Sequence, residues 1–494
     1  GHARSGPDHG PSDDTGLDPD EVRGTTMSLT YDELLAAITT PGGREVRDPA
    51  TGEVIGAVAD SDPADVAAAI ATAKAAQPGW AATPDARRRA LLHEAADAIE
   101  ADAEALALLL SREQGKPLNG PNARFEVGAC AAWLRATAET PIEPEVVVDD
   151  GTTYAELHYR PVGVVGAITP WNWPMMIAIW QIAPALRMGN AVVAKPSEHT
   201  TLSGLALVHV LDSVLPAGVL VPITGAGEAG AALAASPEID KIMFTGSTAT
   251  GRRIVESTAA NLPRLTLELG GNDAGIVLAD ADPKAIAEGL FWGAFINTGQ
   301  TCAALKRLYV HDSIYDEVVA ELAAFAAGVP MGVGTDEANV LGPLQNAMQF
   351  DIVDRLVEAA KADGARVVLG GEPDRAAAGY FYPTTIVADI DPAAALVVEE
   401  QFGPALPVVR YADLEDALAH ANALDAGLGA SVWSSDRARA REVAARLQAG
   451  TVWINSHGGV DPRIPFGGVK ASGYGLEFGV DGLKAVAVPQ VVNG

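Results

Sequence analysis

Cysteine is nearly absent: the 494 residues include only Cys130 and Cys302. Two thiols cannot build a disulfide framework, so a reducing, cytoplasmic compartment is expected. Basic charge is scarce as well, with 34 Lys and Arg against 64 Asp and Glu, for a net charge of −30. Such a surface repels phosphate backbones and anionic lipid, which excludes nucleic acid and membrane as partners held by bulk charge. A phosphate-bearing ligand must then be held locally, by helix N-termini and single lysines. The spacings His-Glu-x-x-His, Cys-x-x-Cys and Gly-x-Ser-x-Gly are missing, and no metal is expected. The one long uncharged apolar stretch, residues 161–186, is interrupted by Pro170, Asn172 and Pro174. A lipid-exposed helix would leave backbone groups unsatisfied there, so a buried strand, a tight loop and a buried helix are expected.

At roughly 150 residues per domain the length implies two to four units. Residues 1–30, polar and rich in Gly, Pro and Asp, read as a disordered tail with no secretory pattern and with Met27 as a candidate start. Asp62-Pro63 opens a helix expected to reach about Ala76. Helical spacing of Leu91, Leu92, Ala95, Ile99, Leu106 and Leu109 predicts one helix from Asp85 to Gln114, closed by Gly115. The 153–159 segment alternates as an exposed strand. The apolar runs 162–168, 191–194, 219–223 and 241–244 read as buried strands between helical segments. A second alternation follows Glu268, with strands at 274–278, 307–310, 430–433 and 451–455 and a helix from Tyr315 to about Ala327. Both patterns predict α/β domains with parallel, doubly wound sheets, joined near Gly270-Gly271.

Within that framework two polar islands carry nucleophile and base chemistry. Cys302 ends Asn297-Thr-Gly-Gln-Thr-Cys302, and Glu268 lies in Leu267-Glu-Leu-Gly-Gly271. A thiol is the strongest nucleophile at neutral pH and a carboxylate is the usual activator of water, which points to a thioester enzyme. Small residues around both are expected to let a substrate approach. Cys130, in an apolar helical stretch, reads as a core residue. Gly225-Ala-Gly-Glu-Ala-Gly230 matches a glycine fingerprint for pyrophosphate, or a plain turn. Phe244-Thr-Gly-Ser-Thr-Ala-Thr-Gly-Arg252 offers a second anion-binding turn. Lys195 and Glu198 end a parallel strand, where ribose hydroxyls or a solvated salt pair would suit them. Asn172, locked between two prolines and two tryptophans, is an oxyanion donor or a buried turn-former. His457 reads as structural.

Together these motifs, with Glu399-Glu-Gln-Phe-Gly-Pro404 and Pro465-Phe-Gly-Gly468, resemble the aldehyde dehydrogenase superfamily over about residues 44–490. The resemblance implies NAD-dependent oxidation of an aldehyde. Cys302 would attack, Asn172 and the Cys302 N–H would hold the oxyanion, and Glu268 would activate the water that releases the acid. It implies nucleotide contacts at Trp171, Lys195, Glu198, Gly246, Ser247, Thr248, Gly251, Glu400 and Phe402, with Gly225 and Gly230 moved to the adenosine end. Trp173, Trp180, Ile296 and Phe466 would line an apolar substrate tunnel. It also implies two Rossmann-like domains, a nucleotide-binding one over 31–144 and 161–268 and a catalytic one over 269–460. A small β arm over 145–160 and 477–494 would make a homodimer or homotetramer.

Two positions depart from that pattern. Gln181 follows Trp180 where relatives usually carry a lysine that relays protons towards a glutamate matching Glu477, so a slowed hydrolytic step is expected. Asn272 stands where lysine is common, with no assigned consequence. A carboxylate at Glu198 meets a 2′-phosphate as like charge, which predicts NAD over NADP. Arg463 and His457 leave open a carboxylate-bearing substrate. Rival readings are a CoA-acylating semialdehyde dehydrogenase, whose members usually lack the general base, and a non-redox thiol esterase or binding protein on the same scaffold.

Overall fold

The computed structural model describes residues 28–494. Most of the expected tail lies outside them, but its last residues are structured. Thr30 caps the helix Tyr31–Ile38 in a capping box with Glu33, and the Leu29 N–H donates to Asp102 Oδ1 at 2.7 Å. Among the described residues the chain forms two mainly parallel sheets, a three-stranded antiparallel one and two antiparallel two-stranded ribbons.

The first sheet has six strands in the order Gly473–Tyr474, Arg264–Glu268, Lys241–Thr245, Val164–Ile168, Ala191–Lys195 and Leu220–Pro222. All but Gly473–Tyr474 run parallel. Val164–Ile168, Ala191–Lys195 and Lys241–Thr245 are buried at every position, as continuous apolar runs require when helices cover both faces. From Val164–Ile168 the chain builds outwards to one side, then returns to build the other with Lys241–Thr245 and Arg264–Glu268. The strand order therefore reverses beside Ile168 and Thr245, and ligand sites of doubly wound sheets lie at the carboxyl ends of such a reversal.

Leu269–Asn272 carries the chain into the second sheet. Its seven strands are Arg366–Leu369, Thr385–Ala388, Ala405–Tyr411, Leu305–His311, Asp273–Val277, Gly429–Trp433 and Thr451–Ile454, parallel except for the first. The third sheet pairs Tyr154–Pro161 with Glu145–Asp149 on one side and Ala487–Asn493 on the other. Both α/β sheets follow the predicted alternation.

Two helices differ from expectation. The predicted single helix 85–114 is two, Asp85–Ala101 and Ala103–Gln114. Asp102 breaks it (φ −102°, ψ 15°), its carboxylate drawn to the Leu29 N–H, and the turn lets each piece bury its own leucines. The helix from Pro63 runs on to Ala82, past Pro78 and Gly79, because buried Trp80 anchors its last turn through Nε1 to the Leu186 carbonyl at 3.0 Å. The 161–186 stretch resolves into the strand Val164–Ile168 and the helix Met176–Arg187, and no helix among the described residues is long and apolar enough to cross a membrane.

Candidate active site

Cys302 is delivered by a turn of unusual backbone. After the helix Pro283–Phe295, Asn297 (φ 53°), Thr298 (φ 57°) and Gly299 (φ 76°) are all left-handed. Side chains rarely adopt that region, and the neighbours must hold it. Asn297 Nδ2 donates to the Asn172 carbonyl at 2.9 Å and the Gln300 carbonyl at 3.2 Å. Thr298 Oγ1 bonds both backbone groups of Gly342 at 3.1 Å, and Gln300 Oε1 accepts from the Gln345 N–H at 2.9 Å. At Gly299 a Cβ would stand 2.1 Å from the Gly403 carbonyl oxygen. The small residues before the cysteine thus form a turn held by side-chain and backbone bonds on several sides.

Asn172 is buried, and its Nδ2 donates to the Gln300 carbonyl at 3.1 Å, two residues before the thiol. Trp173 Nε1 donates to Thr301 Oγ1 at 3.0 Å. The loop is held from behind by Lys116, which follows the Gly115 cap of the helix Ala103–Gln114. Its Nζ donates to the Asn172 carbonyl at 2.9 Å, pairs with Glu126 at 3.3 Å, and sits 3.5 Å from the Trp173 ring centroid. Burial pulls the Lys116 ammonium down to about 8 and pushes the Glu126 carboxyl up to about 7, each opposed by the other's charge.

Glu268 closes the strand Arg264–Glu268, buried, with neither carboxylate oxygen bonded to a protein group. Burial, then the charge of Glu477, raises it well above the ordinary carboxyl range. The half-buried Cys302 thiol is pushed up to about 12, first by burial, with Lys306 opposing and Glu268 adding to the rise. Lys306 Nζ donates to the Cys302 carbonyl at 2.5 Å and pairs with Glu400 at 3.3 Å. The resting thiol is therefore protonated at neutral pH. Glu477 is buried and also raised by burial, with Lys241 opposing. Gln181 Nε2 donates to Thr245 Oγ1 at 3.1 Å.

At the reversal point of the first sheet lies a cavity of about 400 Å³ lined in part by Trp171, Lys195, Glu198, Gly230, Gly246 and Ser247. Ser247 caps the helix Thr248–Thr258, accepting from the Thr250 N–H. The remaining expected contacts border that cavity's lining or lie beyond it. Thr248 Oγ1 donates to the Ala471 carbonyl at 3.2 Å, and Gly251 packs against the Leu269 side chain, which a Cβ there would displace. Gly225 (φ 122°) makes the turn after Leu220–Pro222, beside Ala229 and Asp60. Glu400 and Phe402 stand on the Cys302 side, Glu400 on Lys306 and Phe402 edge-on to Trp171 with centroids 5.5 Å apart.

Trp180 and Phe466 are buried against Phe478, with Trp180–Phe478 centroids at 4.8 Å and Trp133–Trp180 at 5.8 Å. Trp173 and Ile296 pack with Cys302 into the same apolar core. Phe478 and Trp133 had no motif to mark them. His457 is not available to a substrate, being wholly buried between Ser431 Oγ at 2.7 Å and Asp273 Oδ2 at 3.1 Å. Arg463 pairs with its neighbour Asp461 at 2.6 Å, its side chain 84% exposed. Asn272 Nδ2 donates to the Val397 carbonyl at 3.0 Å.

The model of the aldehyde dehydrogenase family matches residues 39–492. Phenylacetaldehyde dehydrogenase of Pseudomonas fluorescens is 40% identical over 457 residues, covering 89% of this chain and 90% of that protein. Betaine aldehyde dehydrogenase of Cereibacter sphaeroides strain KD131 is 39% identical over 433 residues, covering 87% and 89%. The crystal structure of PnpE from Pseudomonas sp. WBC-3 superposes with a TM-score of 0.88 at 40% identity, covering 92% of this chain and 95% of that one. PnpE in complex with nicotinamide adenine dinucleotide matches with the same TM-score at 39% identity, covering 92% and 95%.

Two outcomes follow from this geometry. Lys116→Met strands Glu126 in the core, which costs about 3–5 kcal/mol and lowers the thermal midpoint. Adding Glu126→Met restores the midpoint but not turnover, because the Asn172 carbonyl still lacks its ammonium. Iodoacetamide labels one thiol per folded chain, since Cys130 is fully buried, and its rate rises with pH far into the alkaline range. Glu268→Gln removes a negative charge and moves that rise to lower pH, as mass spectrometry of the labelled chain would record.

Proposed function

Because the chain belongs to the aldehyde dehydrogenase family, we propose that it oxidises an uncharged aryl or alkyl aldehyde to the free acid with NAD, through a thioester on Cys302. The observation that carries this reading is Glu268, two buried oxygens free of protein partners, near enough to raise the Cys302 thiol. A base kept unpaired beside a nucleophile suits activation of water, and disfavours the CoA-acylating alternative.

The cavity fits a dinucleotide. Lys195 is its buried cation, Glu198 a carboxylate suited to ribose hydroxyls, and the capped helix after Ser247 presents N–H groups to phosphate. Bound NAD supplies the hydride acceptor. Cys302 Sγ adds to the aldehyde carbon as its proton passes to a water molecule, and Asn172 Nδ2 with the Cys302 N–H holds the oxyanion. Once the acyl group is on sulfur, Glu268 takes a proton from water. The hydroxide adds to the carbonyl, the acyl C–S bond breaks as the carbonyl re-forms, and Cys302 is released as a thiolate that takes up a proton while the acid departs.

An uncharged substrate is favoured because the aromatic wall of Trp180, Phe466 and Phe478 offers a carboxylate no cation. His457 is committed to Asp273, and Arg463 to Asp461. We also read residues 31–144 and 161–268 as the nucleotide-binding domain, and 269–460 as the catalytic one. The segments 145–160 and 477–494 read as an arm that pairs copies into a cytoplasmic homodimer or homotetramer. Val146, Val147, Val491 and Val492 are exposed on its edge strands, a costly surface unless covered.

NADH absorbance over an aldehyde panel tests the reading. Neutral aryl and alkyl aldehydes are expected to exceed their ω-carboxylate analogues in kcat/KM by at least about tenfold. Cys302→Ser abolishes turnover, and Glu268→Gln lowers kcat by about 10²- to 10⁴-fold. Repulsion of a 2′-phosphate by Glu198, about 1–4 kcal/mol, favours NAD over NADP by roughly five- to several-hundred-fold. Equal kcat/KM with NADP, or better turnover of the carboxylates, sinks the corresponding assignment.

A further inference from the structure

Behind Glu268 lies a buried polar cluster that the proposed reaction leaves without a cation at position 181. Gln181 Oε1 and all four carboxylate oxygens of Glu268 and Glu477 are buried with no protein hydrogen-bond partner. Such atoms are rare in native interiors, and a group of them marks a place where protons or bound water are exchanged. Strand periodicity puts Arg264, Thr266 and Glu268 on one face of the first sheet. In-register pairing puts Lys241, Met243 and Thr245 on the same face. Lys241 is buried, and its Nζ donates to Thr266 Oγ1 at 2.8 Å. Gly475 lies against that hydroxyl, a Cβ on it standing 2.9 Å from Thr266 Oγ1, and two residues on Glu477 is fixed by paired 2.9 Å backbone bonds to Phe466. At Gly467 a Cβ would be 3.2 Å from Glu268 Oε1, which closes the ring of segments around the two carboxyls.

We propose that Lys241, a positioning residue held by Thr266, is the counter-charge that lets the buried carboxyls Glu268 and Glu477 share one negative charge and pass a proton outward. It takes the part for which Gln181 has no charge to offer. The inference rests on the proposed reading of Glu268 as the base for hydrolysis. In each turnover Glu268 gains one proton from water, and that proton must leave before the carboxylate can act again. Glu477 is the next carboxyl in the buried cluster, and a negative charge on either is tolerable there only with a cation nearby. The groups acting on this cluster can be named from every side. Arg264 opposes the charge of Lys241, Glu477 supports it, Glu477 raises Glu268, and Glu268 acts on Cys302. Burial draws the ammonium down to about 8, so it remains charged at neutral pH and is lost in the alkaline range.

Hydrolysis of the acyl group can be followed without nucleotide or aldehyde. p-Nitrophenyl acetate acylates Cys302 with release of p-nitrophenolate, and water then frees acetate and the thiol. Loss of the ammonium raises both carboxyls further, so less Glu268 is ionised at a given pH. Lys241→Met is expected to move the acid limb of deacylation up by about one pH unit. At pH 7 it slows deacylation roughly tenfold and leaves the p-nitrophenolate burst unchanged. Lys241→Arg keeps the wild-type limb, and Gln181→Lys in the Lys241→Met background restores it. Thr266→Val, nearly isosteric, shifts the limb in the same direction and decides the matter if Lys241→Met does not fold. Superimposed pH profiles for variant and wild type, or parallel loss of burst and deacylation, overturn the role of Lys241. Failure of wild type to form NADH with any aldehyde overturns instead the dehydrogenase reading, and the acetyl-enzyme profiles still decide Lys241.

Discussion

Two donors converge on one oxygen, and the site is built from that point. The carbonyl of Asn172 accepts from Lys116 Nζ and from Asn297 Nδ2, each at 2.9 Å. Lys116 comes from just past the end of a helix in the first half of the chain, and Asn297 from the turn that precedes Cys302. The three segments can meet only if each brings the group the others need. Lys116 needs Glu126 to be charged in the core, Asn297 needs a carbonyl to fix its left-handed backbone, and the Asn172 amide needs both to stay aimed at residues 300–302. A buried pair alone gives little net stability, because desolvation offsets the attraction. Its value here is geometric, since it removes alternative positions for the Asn172 amide.

Charge is distributed in the same spirit. The chain carries a net −30, yet its buried lysines, Lys116, Lys195, Lys241 and Lys306, all lie around the proposed site. Each meets a different anion or carbonyl: Lys116 the Asn172 loop, Lys195 the nucleotide cavity, Lys241 the Thr266–Glu477 cluster, Lys306 the Cys302 carbonyl and Glu400. An acidic exterior would repel an anionic cofactor at long range, whereas these buried cations lie inside, where water screens charge far less.

The two sheets were legible because parallel strands covered on both faces are apolar along most of their length, and the runs 164–168, 191–194 and 242–244 are. Cys302, Glu268 and Asn172 stood out because a thiol, a carboxylate and an amide sit among small residues and prolines in motifs that resemble one family. What could not be read were partnerships across large separations. Lys116 to Asn172 spans 56 positions, and nothing in Gly115-Lys116-Pro117 says where the ammonium goes. The break at Asp102 depends on the Leu29 N–H, 73 residues away, so local periodicity gave one helix instead of two. Lys241 opens an apolar strand and reads as a boundary residue until Thr266 is found opposite it. Arg463 and His457 looked available to a carboxylate because neither Asp461's geometry nor Asp273's burial is a property of spacing.

Backbone strain shows the same economy. Asn297, Thr298, Phe402 and Phe478, half of the left-handed residues other than glycine among those described, surround the site. Glycine would take these conformations at less cost, but each side chain does something glycine could not. Asn297 and Thr298 bond the turn to Asn172 and Gly342, Phe402 stands against Trp171, and Phe478 packs on Trp180. Residues held in such regions persist only where their surroundings over-determine them. The contacts that bear the strain are also those that fix the loop carrying the thiol and the walls around it. Relaxing any one to glycine would ease the local backbone and release the very group whose position the chemistry requires.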